Sequence, residues 1–379
     1  MTHADTSIQA LETWYVRVPL ATPIQLGDMV IAHRDFVILK VRTASGAEGL
    51  AYSLTRGAPL DLVLTELIGP KLLGRESQDI SGRSEELIRG TVNLGAVGLV
   101  GRAMSLVDIA LWDLKGQLAG LPIWRLLGGY RTSAPVLAVA PYALPGESDA
   151  DYAERLVPIA ARGYQTLKLY PLADPEAMRR RLAAIRSRLG FSVGLVVDMA
   201  WSFRSATAAI AAVKTWQEFD LTWVEDPFAA DDWRSIKALT DGVETPIAVG
   251  DEVSVRSTIE RLIEDRAVDI LRMDATSMGG YTGFASLRDQ AGRLGFMVSP
   301  HAYGEIHQHC VFGWPGVNPV ELFLPDSPTW GTGRFLATQL DLAPGATELS
   351  APTAPGLGLD VDWAAVDQLS IRHSSTDAR

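Results

Sequence analysis

The sequence contains 379 residues, of which 47% are hydrophobic and 21% are charged, a length typical of one large domain with a smaller one and a composition that supports a sizeable core. Its net charge of −11 argues against nucleic acids and anionic membranes as partners, and the single cysteine, Cys310, excludes an intramolecular disulfide. The sequence shows neither a signal-peptide pattern nor an apolar run of transmembrane length, so we expect a cytoplasmic protein without a membrane partner.

The first 130 residues are predicted to form a small α+β domain. Residues 8–20 and 35–53 are rich in β-branched and aromatic residues, and a Gly-containing turn signal inside the second stretch indicates antiparallel strands. Within 101–120, apolar residues recur at helical spacing, and Gly120 marks the predicted end of that helix.

From about residue 134, short apolar runs alternate with amphipathic helices. One clear helix begins after the capping residue Asp174 and ends at Gly190. Repeated alternation predicts a parallel sheet, and at this length a (β/α) barrel is favoured over an open sheet. We therefore predict three parts: an α+β domain over 1–130, a barrel over 131–335, and a Gly- and Pro-rich segment over 336–379 that packs back on the first domain.

Eight short segments of this second part are predicted as barrel strands, and seven of them carry a polar group at or near the C-terminal end. In a parallel barrel these ends open on one face, where the loops build the active site. The segments are 135–140, 166–170, 193–198, 221–226, 246–252, 269–274, 295–301 and 320–324. The polar groups are Lys168 with Tyr170, Asp198, Glu225, Asp251, Asp274, His301 and Glu321.

Three successive strands end in the acids Asp198, Glu225 and Asp251. Any one of them alone would fit a helix cap, but three together would repel one another and raise their own pKa values. A Mg²⁺ ion, which prefers carboxylate oxygens and keeps positions open for substrate, would relieve that repulsion. The sequence therefore predicts a Mg²⁺ site with a small-molecule substrate.

The next two strands end in Asp274 and His301. A carboxylate that accepts from one imidazole nitrogen fixes the tautomer and makes the other nitrogen more basic, so His301 is predicted to be a general base or acid. Glu321 is a candidate to hydrogen-bond a substrate carboxylate if it is protonated. His307 and His309 are not predicted to bind metal, because no acids lie at a suitable spacing.

The chain resembles the enolase superfamily, and within it the mandelate racemase subgroup. The resemblance covers nearly the whole chain and rests on "ALWDLKGQLAGLPIWRLLGG", "VVD", "WVEDP", "VGDE", "MDATSMGG" and "SPH" in that order. It implies a capping domain and a modified (β/α)₇β barrel, Mg²⁺ bound by the three acids, and Asp274 with His301 as the catalytic dyad. The muconate cycloisomerase subgroup would have a lysine in place of Asp274, so cycloisomerase and dipeptide epimerase activities are not expected.

Two positions depart from the family pattern. The family's Lys-x-Lys pair is here Lys168-Leu169-Tyr170, and Ala200 replaces an asparagine that usually faces the substrate. Because the second lysine is the base for one face of the substrate, its loss weakens a two-base racemase. The resemblance then favours an acid-sugar dehydratase that forms a 2-keto-3-deoxy acid through an enediolate. The alternatives are a racemase or epimerase of a 2-hydroxy acid and a catalytically silent binding barrel. We also expect a homo-oligomer.

By the same resemblance, loops of the capping domain recognise the substrate. The expected loops are 22–34 and 54–59, with His33, Arg34 and Arg56 as candidate contacts.

Overall fold

A computed structural model describes residues 5–26, 29–325 and 327–378. Positions 27 and 28, which belong to the predicted substrate loop 22–34, lie outside the described residues. The strands are β1 (Ile8–Leu26), β2 (Met29–Thr43), β3 (Glu48–Leu54), β4 (Ser133–Ala134), β5 (Val136–Val139), β6 (Thr166–Leu169), β7 (Gly194–Asp198), β8 (Trp223–Glu225), β9 (Ile247–Val249), β10 (Ile270–Met273), β11 (Met297–Pro300), β12 (Val320–Phe323), β13 (Leu349–Ser350) and β14 (Ser370–Asp377).

The helices alternate with the barrel strands and flank the first sheet. They are α1 (Leu60–Leu62), α2 (Gly69–Leu72), α3 (Ile80–Gly90), α4 (Gly98–Ala119), α5 (Ile123–Leu126), α6 (Asp149–Ala161), α7 (Pro175–Leu189), α8 (Ala206–Trp216), α9 (Trp233–Gly242), α10 (Arg256–Glu264), α11 (Gly280–Arg293), α12 (Gly304–Gly313) and α13 (Trp363–Leu369). A π-helical turn, Val63–Ile68, joins α1 to α2. No helix in the described ranges combines the length and the apolar character needed to cross a membrane.

The capping domain is built on an antiparallel sheet of order β14-β1-β2-β3. Strand β14 comes from the end of the chain and pairs with β1. Helix α4 packs on β3, and a side chain at Gly49 would collide with the carbonyl of Ala110. The helix ends where the sequence predicts, at Gly120, which adopts a left-handed conformation with φ of 65°.

The second part of the chain is a parallel eight-stranded barrel of order β11-β10-β9-β8-β7-β6-β5-β12. The ends of this order approach each other through a parallel bridge between Val298 and Val317. Each strand from β5 to β11 is followed by a helix from α6 to α12, and β12 has no such helix before α13. The expected fold class, a modified (β/α)₇β barrel with an α+β capping domain, is confirmed.

One end of the barrel interior is filled by apolar side chains. These residues are almost completely buried, and they are Leu137, Val196, Trp223, Ala248 and Ile270. The barrel is therefore a packed core and not a channel, as parallel barrels generally are. The polar residues lie beyond this layer, at the C-terminal ends of the same strands.

Candidate active site

Three acids converge at the C-terminal end of the barrel. Asp198 ends β7, Glu225 ends β8, and Asp251 lies two residues after β9. Their carboxylates offer oxygens that all lie within 4.8 Å of one another, an arrangement that could hold a metal ion. The side chain of Glu225 is fully buried, whereas those of Asp198 and Asp251 are 13% and 7% exposed. The structure thus brings together the three acids that the sequence singled out.

Charge within this cluster supports a divalent cation. Burial, followed by the charge of Glu225, raises the pKa of Asp251 well above its usual value. With all four carboxylates ionised, as a bound cation would require, the three acids and Glu321 supply four negative charges, and two side chains, Lys168 and Arg272, contact them with two positive charges. Two negative charges remain, which suits Mg²⁺ bound by carboxylate oxygens. The residues present therefore fit the ion.

Lys168, on β6, lies among the acids. Its Nζ is 2.6 Å from Glu225 Oε1, 3.0 Å from Glu321 Oε1 and 3.4 Å from Asp198 Oδ2. Burial alone would lower the pKa of Lys168, but the carboxylates around it, Glu225 foremost, hold that pKa well above its usual value. Lys168 is therefore a cation that can donate hydrogen bonds in this state.

Arg272, on β10, was not predicted as a site residue. Its side chain is fully buried, and its Nε lies 3.2 Å from both Glu225 Oε2 and Asp251 Oδ1. One terminal nitrogen donates to Ser299 Oγ at 2.6 Å, and the other pairs with Glu321. The sequence did carry a signal for Arg272. It is a charged residue within an apolar strand, two positions before Asp274, so strand alternation directs both side chains to the same face.

Replacing Arg272 should expose the charge balance of this cluster. We expect Arg272→Met to lower the free energy of unfolding of the Mg²⁺-free protein by about 3–5 kcal/mol, because it leaves buried carboxylates uncompensated. Added Mg²⁺ should then raise the melting temperature by more than it does in the unchanged protein. Thermal unfolding with and without Mg²⁺ measures both effects. Equal Mg²⁺-induced shifts in the two proteins would contradict this account of the charges.

Glu321, on β12, lies between the two cations. Burial would raise its pKa, but Arg272 and Lys168 together hold that pKa below the usual value. Its described contacts therefore make Glu321 an ionised acceptor. The sequence-based role, in which a protonated Glu321 donates to a substrate carboxylate, stays a prediction and requires Glu321 to gain a proton.

Asp274 and His301 approach each other on the side of the three acids opposite Lys168. His301 Nδ1 lies 3.5 Å from Asp274 Oδ2, and His301 Nε2 lies 3.3 Å from Asp251 Oδ2. The first distance is longer than a normal hydrogen bond, as catalytic contacts often are before substrate binds. Thr276 donates to the second oxygen of Asp274 through both its backbone N–H and its hydroxyl, each at 2.7 Å. Asp274 is thereby oriented so that its Oδ2 faces His301.

Tyr170 follows directly after β6 and stacks on Tyr142, with ring centroids 3.6 Å apart. Burial and the neighbouring Tyr142 raise the pKa of Tyr170 well above its usual value. Tyr170 is therefore protonated and suited to donate a proton or a hydrogen bond. Tyr142 was not predicted as a site residue. It lies two residues beyond the predicted strand 135–140, the one predicted strand without a polar group at its end. Strand alternation would have placed Tyr142 on the same face as the last residue of that strand.

His33, Arg34 and Arg56 line one cavity of about 480 Å³, together with Trp201 and Glu252. Arg34 donates through Nε to the carbonyl of Thr329 at 3.2 Å. Arg56 pairs with Glu252, to which its Nε donates at 3.2 Å. The structure therefore groups all three candidate substrate contacts. The two arginines are hydrogen-bonded to protein groups, and His33 Nε2 lies 3.6 Å from Asp35 Oδ1.

Glu252 directly follows Asp251 in sequence but is not among the three acids that converge on the proposed metal site. Strand β9 ends at Val249, and Glu252 adopts a left-handed backbone with φ of 55° in the following turn. Its carboxylate faces Arg56 and also Arg102, whose Nη2 lies 3.0 Å from Glu252 Oε2. Glu252 thus joins the barrel to the capping domain. Arg102, on α4, could not be predicted as a partner of Glu252, because the sequence around it does not determine which barrel loop α4 packs against.

Two family profiles match the chain. Residues 9–128 match the profile of the mandelate racemase/muconate lactonizing enzyme N-terminal domain, and residues 150–365 match that of the enolase C-terminal domain-like family. The chain belongs to the mandelate racemase/muconate lactonizing enzyme family. The resemblance stated from the sequence motifs is confirmed.

Similar proteins in this family act on sugar acids. The chain is 30% identical to L-talarate/galactarate dehydratase of Salmonella typhimurium over 79% of this chain and 77% of that protein. It is 28% identical to 3,6-anhydro-alpha-L-galactonate cycloisomerase of Streptomyces coelicolor over 96% and 99%. L-Talarate dehydratase from Polaromonas sp. JS666, solved with Mg and L-glucarate, matches with a TM-score of 0.88 and 27% identity over 98% and 99%. The second of these relatives is named as a cycloisomerase, an activity that the sequence analysis did not expect.

Proposed function

We propose that this protein is a Mg²⁺-dependent acid-sugar dehydratase, a hydro-lyase that converts a sugar acid into a 2-keto-3-deoxy acid. The observation that carries the proposal is the arrangement of proton carriers around the three acids. Strands β7, β8 and β9, which bear the acids, lie between β6 with Lys168 and β10 with β11. Asp274 and His301 follow β10 and β11, so groups that can move protons stand on two opposite sides of the proposed metal site. The dehydratase relatives support the same assignment.

In this mechanism Asp198, Glu225 and Asp251 would hold Mg²⁺. When bound, the ion would offset the negative charge that develops on the substrate carboxylate as its α proton leaves. His301, oriented by Asp274, takes the α proton or delivers a proton to the departing β-hydroxyl. When His301 is the base, Lys168 and Tyr170 donate from the opposite face to the departing β-hydroxyl. When His301 is the acid, Lys168 must first give up its proton and then takes the α proton. Glu321 pairs with both Lys168 and Arg272. His33, Arg34 and Arg56 are proposed to contact the distal part of the substrate.

A screen of monoacid and diacid sugars with a keto-acid readout tests the proposal. We expect one substrate class to give a keto acid only when Mg²⁺ is present. Solvent-deuterium exchange at the α carbon without loss of water would instead identify a racemase or epimerase. Absence of Mg²⁺-dependent exchange with every acid would identify a silent binding barrel.

Cycloisomerisation is a second candidate, because the similarity to the Streptomyces coelicolor cycloisomerase spans almost the whole of both chains. Anhydro-sugar acids and sugar-acid lactones therefore belong in the screen. Mass spectrometry separates the two reactions, since dehydration removes one water from the substrate and isomerisation leaves its mass unchanged.

Tyr170 distinguishes this chain from the family pattern, and its role can be tested directly. We expect Tyr170→Phe to lower the turnover by on the order of 10²–10⁴-fold, the usual contribution of a general acid or base. Tyr142→Phe is the matched control, because it keeps the stacked ring pair and removes only the neighbouring hydroxyl. Steady-state kinetics on the identified substrate gives both values. A Tyr170→Phe protein within a few-fold of the unchanged protein would rule out a chemical role.

The division into residues 1–130, 131–335 and 336–379 is also proposed, supported by the pairing of β14 with β1.

A homo-oligomer is proposed as well. Its support is a segment after α3 that exposes large apolar side chains, including Val92 and Leu94, which are 72% and 59% exposed. Light scattering at several concentrations measures the oligomeric state. The cytoplasmic location and the absence of nucleic-acid and membrane partners stay predictions from composition.

A further inference from the structure

A buried histidine on α12 connects the two loops that carry the proposed dyad. His307 is fully buried. Its Nδ1 lies 2.8 Å from the carbonyl oxygen of Ala302, the residue after His301. Its Nε2 accepts from the backbone N–H of Ala275, the residue after Asp274, at 2.9 Å. One imidazole thus bonds the backbone next to each member of the pair.

These two contacts determine the tautomer of His307. A backbone N–H can only donate, so Nε2 must offer a lone pair to Ala275. A carbonyl can only accept, so Nδ1 must carry the proton that is donated to Ala302. His307 is therefore neutral with its proton on Nδ1. Its Nε2 also lies 3.5 Å from Asp274 Oδ1, and because that nitrogen is not protonated it does not draw the carboxylate away from His301.

The loop after His301 needs such an anchor. Ala302 and Tyr303 both adopt left-handed backbone conformations, with φ of 49° and 42°, which are unfavourable for residues other than glycine. The bond from His307 to the Ala302 carbonyl is made at the first of these two residues. It therefore stabilises the turn that directs His301 toward Asp274.

We propose that His307 is a positioning residue that sets the geometry of the Asp274–His301 pair by bonding both of their loops. It does not touch the proposed metal ligands or the substrate. The proposal rests on the proposed function in one respect only, which is that the pair transfers a proton. Loss of His307 should change the rate of proton transfer and leave Mg²⁺ binding unchanged.

Two half-replacements separate the contacts. His307→Asn can place an amide N–H near the Nδ1 position but loses the acceptor for Ala275, and His307→Gln can place an acceptor near the Nε2 position but loses the donor to Ala302. We expect each to lower kcat for α-proton exchange by about 10–100-fold, as the loss of partners that orient active-site ligands typically does. KM and the Mg²⁺ affinity measured by calorimetry should change by less than a few-fold.

His309→Gln is the matched control. His309 is buried on the same helix and bonds the backbone N–H of Trp124 and the carbonyl of Leu357, both away from the pair. We expect its kcat to stay within a few-fold of the unchanged protein. Equal losses of kcat in the His307 and His309 variants would mean that both buried histidines of α12 act only by stabilising the fold. That result would overturn the proposal.

Two further measurements keep the test decisive. In an Asp274→Asn background, which already disturbs the pair, the His307 substitutions should add little to the loss, whereas fully additive losses would overturn the proposal. Nitrogen-15 NMR of the unchanged protein should show His307 neutral with its proton on Nδ1, and a proton on Nε2 would overturn it. That spectrum needs neither a variant nor activity, so it distinguishes failure of this proposal from failure of the proposed function.

Discussion

Asp251→Asn is expected to lower the affinity for Mg²⁺ by more than about 100-fold, since losing even partners outside the ligand set typically costs about 10–100-fold. The substitution keeps the side-chain volume but removes one of three negative charges whose oxygens lie within 4.8 Å of each other. α-Proton exchange should fall with the loss of the ion. Isothermal calorimetry measures the affinity, and exchange at saturating Mg²⁺ shows how much of the lost rate returns.

Glu252→Gln is the natural control for that experiment. Glu252 is adjacent in sequence to Asp251 but faces Arg56 and Arg102. We expect the variant to bind Mg²⁺ with nearly unchanged affinity while the contact between barrel and capping domain weakens, which should appear as a lower melting temperature. Loss of Mg²⁺ binding in Glu252→Gln together with retention in Asp251→Asn would reverse the assignment of the two acids.

The barrel could be predicted because its repeats are regular. Each βα unit spans a similar length, so acids and a histidine that are far apart in sequence come to the same end of the sheet. The strands themselves are shorter than predicted. Strand β9 stops at Val249, for example, because Gly250 and Glu252 take backbone conformations with positive φ that no strand adopts. Composition alone does not reveal where such a turn begins.

The site was predictable where a residue's position follows from its own strand, and unpredictable where two elements must first meet. Asp198 and His301 belong to the first kind. The position of Arg272 also follows from its own strand. It was not predicted because arginines are rarely fully buried and the neighbouring residues of that strand are apolar. Arg102 belongs to the second kind, because it reaches Glu252 only after α4 of the capping domain has packed against the barrel. His307 is similar, since its role depends on two loops that contact each other only in the folded barrel.

His301→Asn should lower α-proton exchange by on the order of 10⁴-fold, the upper end of the range for a general acid–base group. Asparagine keeps a polar side chain near the position of Nδ1, where His301 faces Asp274, but it has no group that takes up a proton near neutral pH. The Nε2 atom that lies 3.3 Å from Asp251 Oδ2 is removed. Stopped-flow or NMR detection of exchange in deuterium oxide measures the loss.

Mg²⁺ binding separates a chemical role of His301 from a structural one. Because the imidazole is not among the three acids that would hold the ion, His301→Asn should bind Mg²⁺ with an affinity within a few-fold of the unchanged protein. Asp274→Asn should lose less activity, since it leaves the imidazole in place and removes only the group that orients it. Near-normal exchange in His301→Asn would assign proton abstraction to the opposite face, where Lys168 lies 2.6 Å from Glu225 and would have to lose its proton before it could act as the base.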